Sequence, residues 1–371
     1  MERKLRILMV LFNLAVANGV SSFVMNYFRK LNHSNVQMDF VVYSKVESPY
    51  VDEIENAGGK IYLIPSIRNI FQHITVSKKI IEEGHYDIVH DNILILSYFI
   101  MKYAKDYHVP VRILHSHNSK LGETRYKEIR NRLFMPLLLG MVTDRFACSD
   151  LAAKGMFHDK PYTFIPNVIS PQKYFFNKGK RCNLRKRFHV DDKFIIGTVA
   201  RLAYQKNPFY AIDIIGELYK LNPQIEYWWI GDGPLYSQVE NKIHQKGLEN
   251  VIKLLGRRND TAGLYQAMDM FFLPSLFEGL PVTALEAQAT GLPCLVSDTV
   301  SQEFVYTDQV SFFSLQDSVD KVCHLIQNII NHKNNESRIV GREKLLESIF
   351  SDRNAGRHLT DVYTGILSQK L

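Results

Sequence analysis

The sequence predicts an α/β protein of two doubly wound domains, each a parallel sheet with helices on both faces. Three observations carry this expectation. Short apolar runs alternate with amphipathic stretches along nearly the whole chain, the pattern of strand–helix–strand units. The pattern breaks near residue 170 and then restarts. The 371 residues suffice for two domains of ordinary size.

In order, the run at 6–12 reads as a first buried strand, followed by apolar runs at 39–43, 60–64, 88–90 and 111–115. Val20, Phe23, Val24, Tyr27, Phe28 and Leu31 recur at helical spacing after the first run. Residues 171–193 hold eight basic and two acidic side chains, a net +6, read as a solvated face rather than a specific anion site. A strand at 194–199, a helix at 208–221 and strands at 225–230, 251–255 and 270–274 follow. A helix from Pro281 and a strand at 293–297 come next. The domains are therefore 1–170 and 171–351, with a last helix at about 352–371 packing back on the first.

Composition narrows the function classes. With 46% hydrophobic and 22% charged residues, the chain is not disordered, collagen-like or coiled coil. A net charge of +7 favours phosphate-bearing ligands or an anionic membrane surface, and does not by itself imply nucleic acid. Cys148, Cys182, Cys294 and Cys323 form no CxxC motif, so a reducing cytoplasm is expected. Ala15-Val16-Ala17 imitates a signal-peptidase site, but Arg6 and Asn13 interrupt the apolar segment before it. The longest later apolar run, 93–101, falls far short of the roughly 20 residues of a spanning helix.

Four groups carry chemistry. In residues 274–298 a strand ends at Pro274, Glu278 sits in a loop, and Gly279-Leu280 leads to Pro281, favoured at a helix start. The helix continues to Thr290, and Gly291 stops it. The N–H groups of its first turn make an anion site, and Glu278 and Glu286 can both reach one ligand. The plainer reading is a buried helix with two solvated glutamates. Second, Arg201 and Lys206 follow a strand end in one loop, where they could clamp two phosphates or simply face water. Third, Asn18-Gly19-Val20-Ser21 leaves a strand and opens a helix, and its glycine would let backbone approach a ligand; it is not the GxGxxG fingerprint. Fourth, strand alternation puts His115 and His117 of His115-Ser116-His117-Asn118 on one face, as one functional histidine, a structural pair or, less simply, a metal site.

In order and spacing these groups resemble the retaining glycosyltransferases of family 4, whose GT-B fold sets two Rossmann-like domains about a central cleft. The resemblance covers nearly the whole chain. Glu278 and Glu286 match the EX7E signature, and Arg201 and Lys206 match the G-x-x-x-R-x-x-x-x-K phosphate loop. Asn18-Gly19-Val20 stands where Gly-Gly-Val is usual, and Ile165-Pro166-Asn167 matches an element before the linker. Gly231-Asp232-Gly233-Pro234 and Gly256-Arg257 match two loops that line the nucleotide. The His-Ser-His-Asn segment is similar to that of bacterial capsule and exopolysaccharide transferases.

The resemblance implies an acceptor domain followed by a nucleotide-sugar donor domain. Arg201 and Lys206 would neutralise the donor diphosphate, and Glu286 would accept hydrogen bonds from the ribose. Glu278 and the amides of Gly279 and Leu280, just before Pro281, would hold the donor sugar. Gly19 would admit the phosphate, while Gly231 and Arg257 line the nucleotide. His117, preferred over His115, would contact the transferred sugar near its reacting carbon.

The implied reaction moves a hexose or N-acetylhexosamine from a nucleotide sugar, UDP-linked with GDP left open, to a lipid-linked oligosaccharide with retention. It calls for no metal cofactor: the two cations and the helix N-terminus face the charge growing on the diphosphate, and the chain has no Asp-x-Asp. The expected acceptor is an undecaprenyl-diphosphate-linked sugar. Residues 120–132 carry a net +3 and run into the apolar 133–139, either a core helix with solvated charges or a contact with an anionic membrane. The second reading makes the chain a peripheral protein at the inner face of the cell membrane. The alternatives are a nucleotide-sugar epimerase of the same fold, an HxH metallohydrolase with a barrel, and an exported sugar-binding receptor.

Overall fold

The first apolar run becomes an interior strand. The computed structural model describes residues 3–16, 18–122, 124–332 and 336–370. In it β1 (Leu5–Leu11) pairs in parallel with β2 (Val36–Val42) on one side and β4 (Ile88–Asp91) on the other. Ile7, Met9 and Leu11 enter one apolar cluster, and Leu8 and Val10 enter another. Both faces of β1 are covered, which is why its sequence is nearly continuous in apolar residues rather than alternating. Cleavage after residue 17 would remove this strand; Ala17 itself lies outside the described residues.

β3 (Ile61–Leu63), β5 (Val111–Ser116), β6 (Asp144–Ala147) and β7 (Thr163–Phe164) complete a parallel sheet of order β3-β2-β1-β4-β5-β6-β7. The order reverses between β1 and β4. Loops leaving those strands diverge to opposite faces, and the crevice at their carboxyl ends is where such sheets bind ligands. This unit comprises Met1–Val168 and Asp352–Leu371. The helix Ala355–Ser368 places Ala355, Leu359 and Tyr363, one turn apart, in the same cluster as Ile7 and Met9. A Cβ on Gly356 would stand 1.8 Å from the Lys30 carbonyl oxygen, so only glycine permits this approach.

The unit Ile169–Ser351 repeats the plan with β8 (Phe194–Val199), β9 (Ile225–Ile230), β10 (Ile252–Leu254), β11 (Met270–Leu273), β12 (Cys294–Ser297) and β13 (Val310–Phe313). Their order is β10-β9-β8-β11-β12-β13, with the reversal between β8 and β11. The helix Pro208–Leu221 turns Ala211, Ile212, Ile214, Ile215 and Leu218 onto this sheet. Two open parallel sheets are not the barrel that the metallohydrolase reading requires.

Two segments are settled by burial, the first as a correction. The basic run 171–193 is not simply a solvated face. Its helix, Lys178–Phe188, puts Arg181 and Arg185 one turn apart, and both are buried. Arg181 donates to Asp269 at 2.5 Å and Arg185 at 2.9 Å. Asp269 has no side-chain exposure, so its charge demands partners that are themselves drawn inside. The second concerns the helix Arg125–Leu139, for which core and surface readings stood open: its apolar residues divide between the two. Met135 and Leu138 are buried, but Tyr126, Ile129, Leu133 and Leu137 are 75, 68, 70 and 55% exposed. Their spacing of three and four residues makes one stripe. Arg125, Lys127, Arg130 and Arg132 lie on the same helix. Among the described residues, no helix is long and apolar enough to cross a membrane.

Candidate active site

In the second unit the loops after β8 and β11 flank the switch point. The first carries Arg201, exposed, and then the single turn Tyr204–Lys206. The second carries Ser275 and Glu278 and ends at Pro281. Pro281 is the cap of the helix Val282–Ala289 rather than its first residue, and no side-chain hydrogen bond caps that end.

The two loops are stitched together. Leu276 N–H donates to the Gln205 carbonyl at 2.8 Å, and Gln205 Nε2 donates to the Phe277 carbonyl at 2.9 Å. Ser297 and Thr299 hydroxyls, at the end of β12, donate to the Ser275 carbonyl at 2.5 and 2.8 Å. Glu278 is only 7% exposed. It forms an ion pair with Lys206 and accepts from Ser275 Oγ at 2.8 Å and from Gln205 Nε2 at 3.2 Å. Lys206 and Glu278, which the sequence places in separate groups, are thus one pair. Gly279 and Leu280 are buried beside it.

Glu286, in the second turn of its helix, is held by two tyrosines. Tyr174 OH donates to Oε1 at 2.5 Å and Tyr265 OH to Oε2 at 2.9 Å. Burial pushes its carboxyl up, and the two hydroxyls oppose that shift. Glu278 and Glu286 share no hydrogen-bond partner among the described residues.

The loops after β9 and β10 close the same edge. Gly231 has φ +142°, and a Cβ there would meet the Ala200 carbonyl oxygen at 2.0 Å. Gly231 N–H donates to the Gly256 carbonyl at 2.8 Å, and Arg257 follows, exposed. Arg201, Lys206, Gly231, Arg257, Glu278 and the start of the Val282–Ala289 helix therefore belong to one strand-end surface.

In the first unit Asn18 caps the helix Gly19–Phe28, accepting from Val20 N–H at 3.0 Å. The asparagine that replaces a glycine thus has a local task. Gly19 is exposed, and a Cβ there would meet nothing within 4 Å. The rings of His115, in β5, and His117, just past its end, stack at 4.0 Å, on the one face that strand alternation predicts. His115 is 1% exposed and bonds through Nδ1 to His90 Nε2 at 3.0 Å; His90 Nδ1 bonds to Tyr363 OH at 2.6 Å. His117 is half-buried, with Nε2 2.7 Å from Asn92 Oδ1. His115 thus sits inside the sheet, and His117 is the accessible one of the pair.

Burial pushes His90 and His117 down to about 3 and lowers His115 as well, so all three imidazoles are neutral. The unfolded chain takes up protons near pH 6.5 that the folded chain refuses, so folding weakens as pH falls through that value. Asp91, raised to about 7 by burial, works in the opposite sense over the same range. Three bases against one acid leave a net loss of about 2 kcal/mol between pH 7.5 and 5.5. Thermal melts across that interval should fall by several degrees, and His117→Gln should flatten the dependence.

Sequence reading missed Gln205 and Ser275, although one lies beside Lys206 and the other three residues before Glu278. It also missed Asn92, whose place just past β4 at the switch point was a usable signal. Tyr174 lies 112 residues from Glu286, and no local pattern announces that contact.

Two open parallel sheets, with polar loops at the carboxyl ends flanking each reversal, are the GT-B class of fold. HepE of Anabaena, solved in complex with UDP-glucose, superposes with a TM-score of 0.80 at 16% identity, covering 97% of this chain and 99% of that one. WaaG, a glycosyltransferase involved in lipopolysaccharide biosynthesis, gives 0.74 at 14% identity over 97% and 100%. Residues 180–344 match the family Glycosyl transferases group 1. EpsF of Bacillus subtilis (strain 168), provisionally named a glycosyltransferase, is 32% identical over 297 residues, 77% of either chain. The UDP-Gal:alpha-D-GlcNAc-diphosphoundecaprenol alpha-1,3-galactosyltransferase of Escherichia coli is 26% identical over 321 residues, 81% of this chain and 82% of that one. The chain belongs to the glycosyl transferases group 1 family, and it is a glycosyltransferase. The relatives give no support to the epimerase or metallohydrolase readings.

Proposed function

We propose that this protein moves a hexose or N-acetylhexosamine from a UDP-sugar to an undecaprenyl-diphosphate-linked oligosaccharide, with retention and without a metal, in capsule or exopolysaccharide synthesis. The observation that carries this reading is the Lys206–Glu278 pair, which joins the two loops at the second switch point directly before an uncapped helix start. A diphosphate there would exchange for Glu278 as the partner of Lys206, with Arg201 as the second cation. The freed Glu278 carboxylate would then accept a hydrogen bond from a donor-sugar hydroxyl. Glu286, already oriented by two tyrosines, has lone pairs left for ribose hydroxyls. Gly231 and Arg257 would line the nucleotide, Gly19 would admit the phosphate, and His117 would contact the transferred sugar.

As the sugar–phosphate bond breaks, negative charge grows on the leaving diphosphate. Fixed cations and helix N–H groups aimed at it lower that barrier without reorganising. The acceptor hydroxyl attacks the anomeric carbon from the leaving-group face, and its proton passes to the departing phosphate oxygen. The printed substrate of the Escherichia coli relative supports the UDP donor and the lipid-linked acceptor. The exposed apolar stripe Tyr126, Ile129, Leu133 and Leu137, beside four cations, supports docking on the anionic inner leaflet.

The test is transfer itself. Full-length protein on anionic vesicles carrying the undecaprenyl-diphosphate acceptor should release UDP from one member of a UDP-sugar panel in the presence of EDTA. The new linkage should keep the donor's anomeric configuration by proton NMR. Leu133→Asp with Leu137→Asp should lower vesicle partitioning at least about tenfold. UDP release only with added divalent ion, or an inverted product, contradicts the mechanism. Unchanged partitioning contradicts the membrane contact.

A further inference from the structure

His117 is held on three sides. Its ring stacks on His115 at 4.0 Å and meets the edge of Phe23 at 4.9 Å. Its Nε2 lies 2.7 Å from Asn92 Oδ1. The Asn92 amide cannot turn over without loss, because its Nδ2 donates to the Val10 and His90 carbonyls, each at 3.2 Å, and carbonyls only accept. Oδ1 therefore faces the histidine, and a carbonyl oxygen can only accept a hydrogen bond from it. Nε2 must carry the hydrogen. A neutral imidazole has one N–H, so Nδ1 is bare. Nδ1 makes no hydrogen bond to the described residues, and the residue is half-buried rather than enclosed. Asn92 stands just past β4 at the first switch point and is itself 7% exposed.

We propose that Asn92 is a positioning residue that fixes His117 as the Nε2–H tautomer, and that the resulting bare Nδ1 selects a sugar bearing a hydroxyl, not a carboxylate, at the position it faces. This rests on the sugar contact proposed above for His117. A hydroxyl can donate to a bare nitrogen, whereas a carboxylate would set lone pair against lone pair. Only an imidazolium would welcome the carboxylate. Burial opposes that state, and none of the groups around the ring offers a negative charge to offset it: His115, in β5, and His90 of β4 are themselves neutral, and Phe23 of the Gly19–Phe28 helix carries no charge. Tyr363, beyond His90, is held un-ionised by burial.

The tautomer is measured without substrate. In full-length protein with 15N-labelled histidine at pH 7, the signal lost in His117→Gln should show an unprotonated Nδ1 and a protonated Nε2. A protonated Nδ1 in the native protein overturns the proposal. Asn92→Asp should give His117 a charged partner and move its titration up into the pH 6–8 window; a titration that stays below pH 5 in a folded Asn92→Asp protein also overturns it. Calorimetry with UDP-glucose and UDP-glucuronate as probes should favour the neutral sugar at least about tenfold at pH 7. The margin should shrink in Asn92→Asp at pH 6. Equal binding of both probes overturns the selection. If neither probe binds while the tautomer is as stated, the donor reading fails and the role of Asn92 stands.

Discussion

Arg201→Ala and Lys206→Ala should each lower kcat/KM for sugar transfer by about 10²–10³-fold, the loss seen when one fixed donor to developing negative charge is removed. The two variants should part company in stability. Arg201 is exposed, so whatever its side chain touches is solvent-screened, and its truncation should cost the fold no more than about 1 kcal/mol. Lys206 is paired with a carboxylate that is 7% exposed. Removing the ammonium leaves the Glu278 carboxylate with the neutral donors Ser275 and Gln205 and without its Lys206 countercharge, which should destabilise the fold by about 1–3 kcal/mol. Steady-state kinetics beside thermal melts separate the two. If Lys206→Ala melts like the native protein, the pair is an incidental contact and the proposed exchange of Glu278 for diphosphate loses its basis.

Asp269→Ala should be among the most destabilising substitutions in the chain, at about 3–5 kcal/mol, the cost of breaking a buried ion pair from one side. The carboxylate is enclosed, with Arg181 and Arg185 on its two oxygens. Arg338 lies in the same cluster and donates to the carbonyls of Tyr265, Gln266, Met268 and Thr290. Its guanidinium is pushed down to about 9, first by burial and then by Arg181. Without Asp269, three buried guanidiniums would lose their carboxylate and keep carbonyl oxygens and, for Arg338, the Phe176 ring. These arginines hold the end of the Thr261–Ala267 helix, whose Tyr265 carries Glu286. Chemical unfolding should therefore show a lower midpoint, and Asp269→Asn should recover part of the loss through its remaining hydrogen bonds. A midpoint within 1 kcal/mol of native would refute this account of the cluster.

The fold class was legible because periodicity reports burial. β8 and the helix Pro208–Leu221 lie where the apolar pattern puts them, since both faces of the strand and one stripe of the helix must leave water. The candidate site residues were legible only as chemical types at strand ends. Their partners were not. The Lys206–Glu278 pair depends on β8 and β11 becoming parallel neighbours where the strand order reverses, which no local spacing encodes. Arg181 and Arg185 looked like surface charge because composition cannot see Asp269, more than 80 residues away. The stripe on the Arg125–Leu139 helix could be read as core or as surface, because apolar spacing does not say which side the sheet lies on.

The central claim is a metal-independent nucleotide site on the second sheet, and thermal stabilisation by UDP, GDP and ADP, each with EDTA and with magnesium, tests it most directly. UDP at about 100 times its dissociation constant should add roughly 2.7 kcal/mol, a shift of several degrees, equally with EDTA and with magnesium. Arg201→Ala, measured against its own ligand-free melt, should abolish that shift. No stabilisation by any nucleotide, or stabilisation only with magnesium, would contradict the claim.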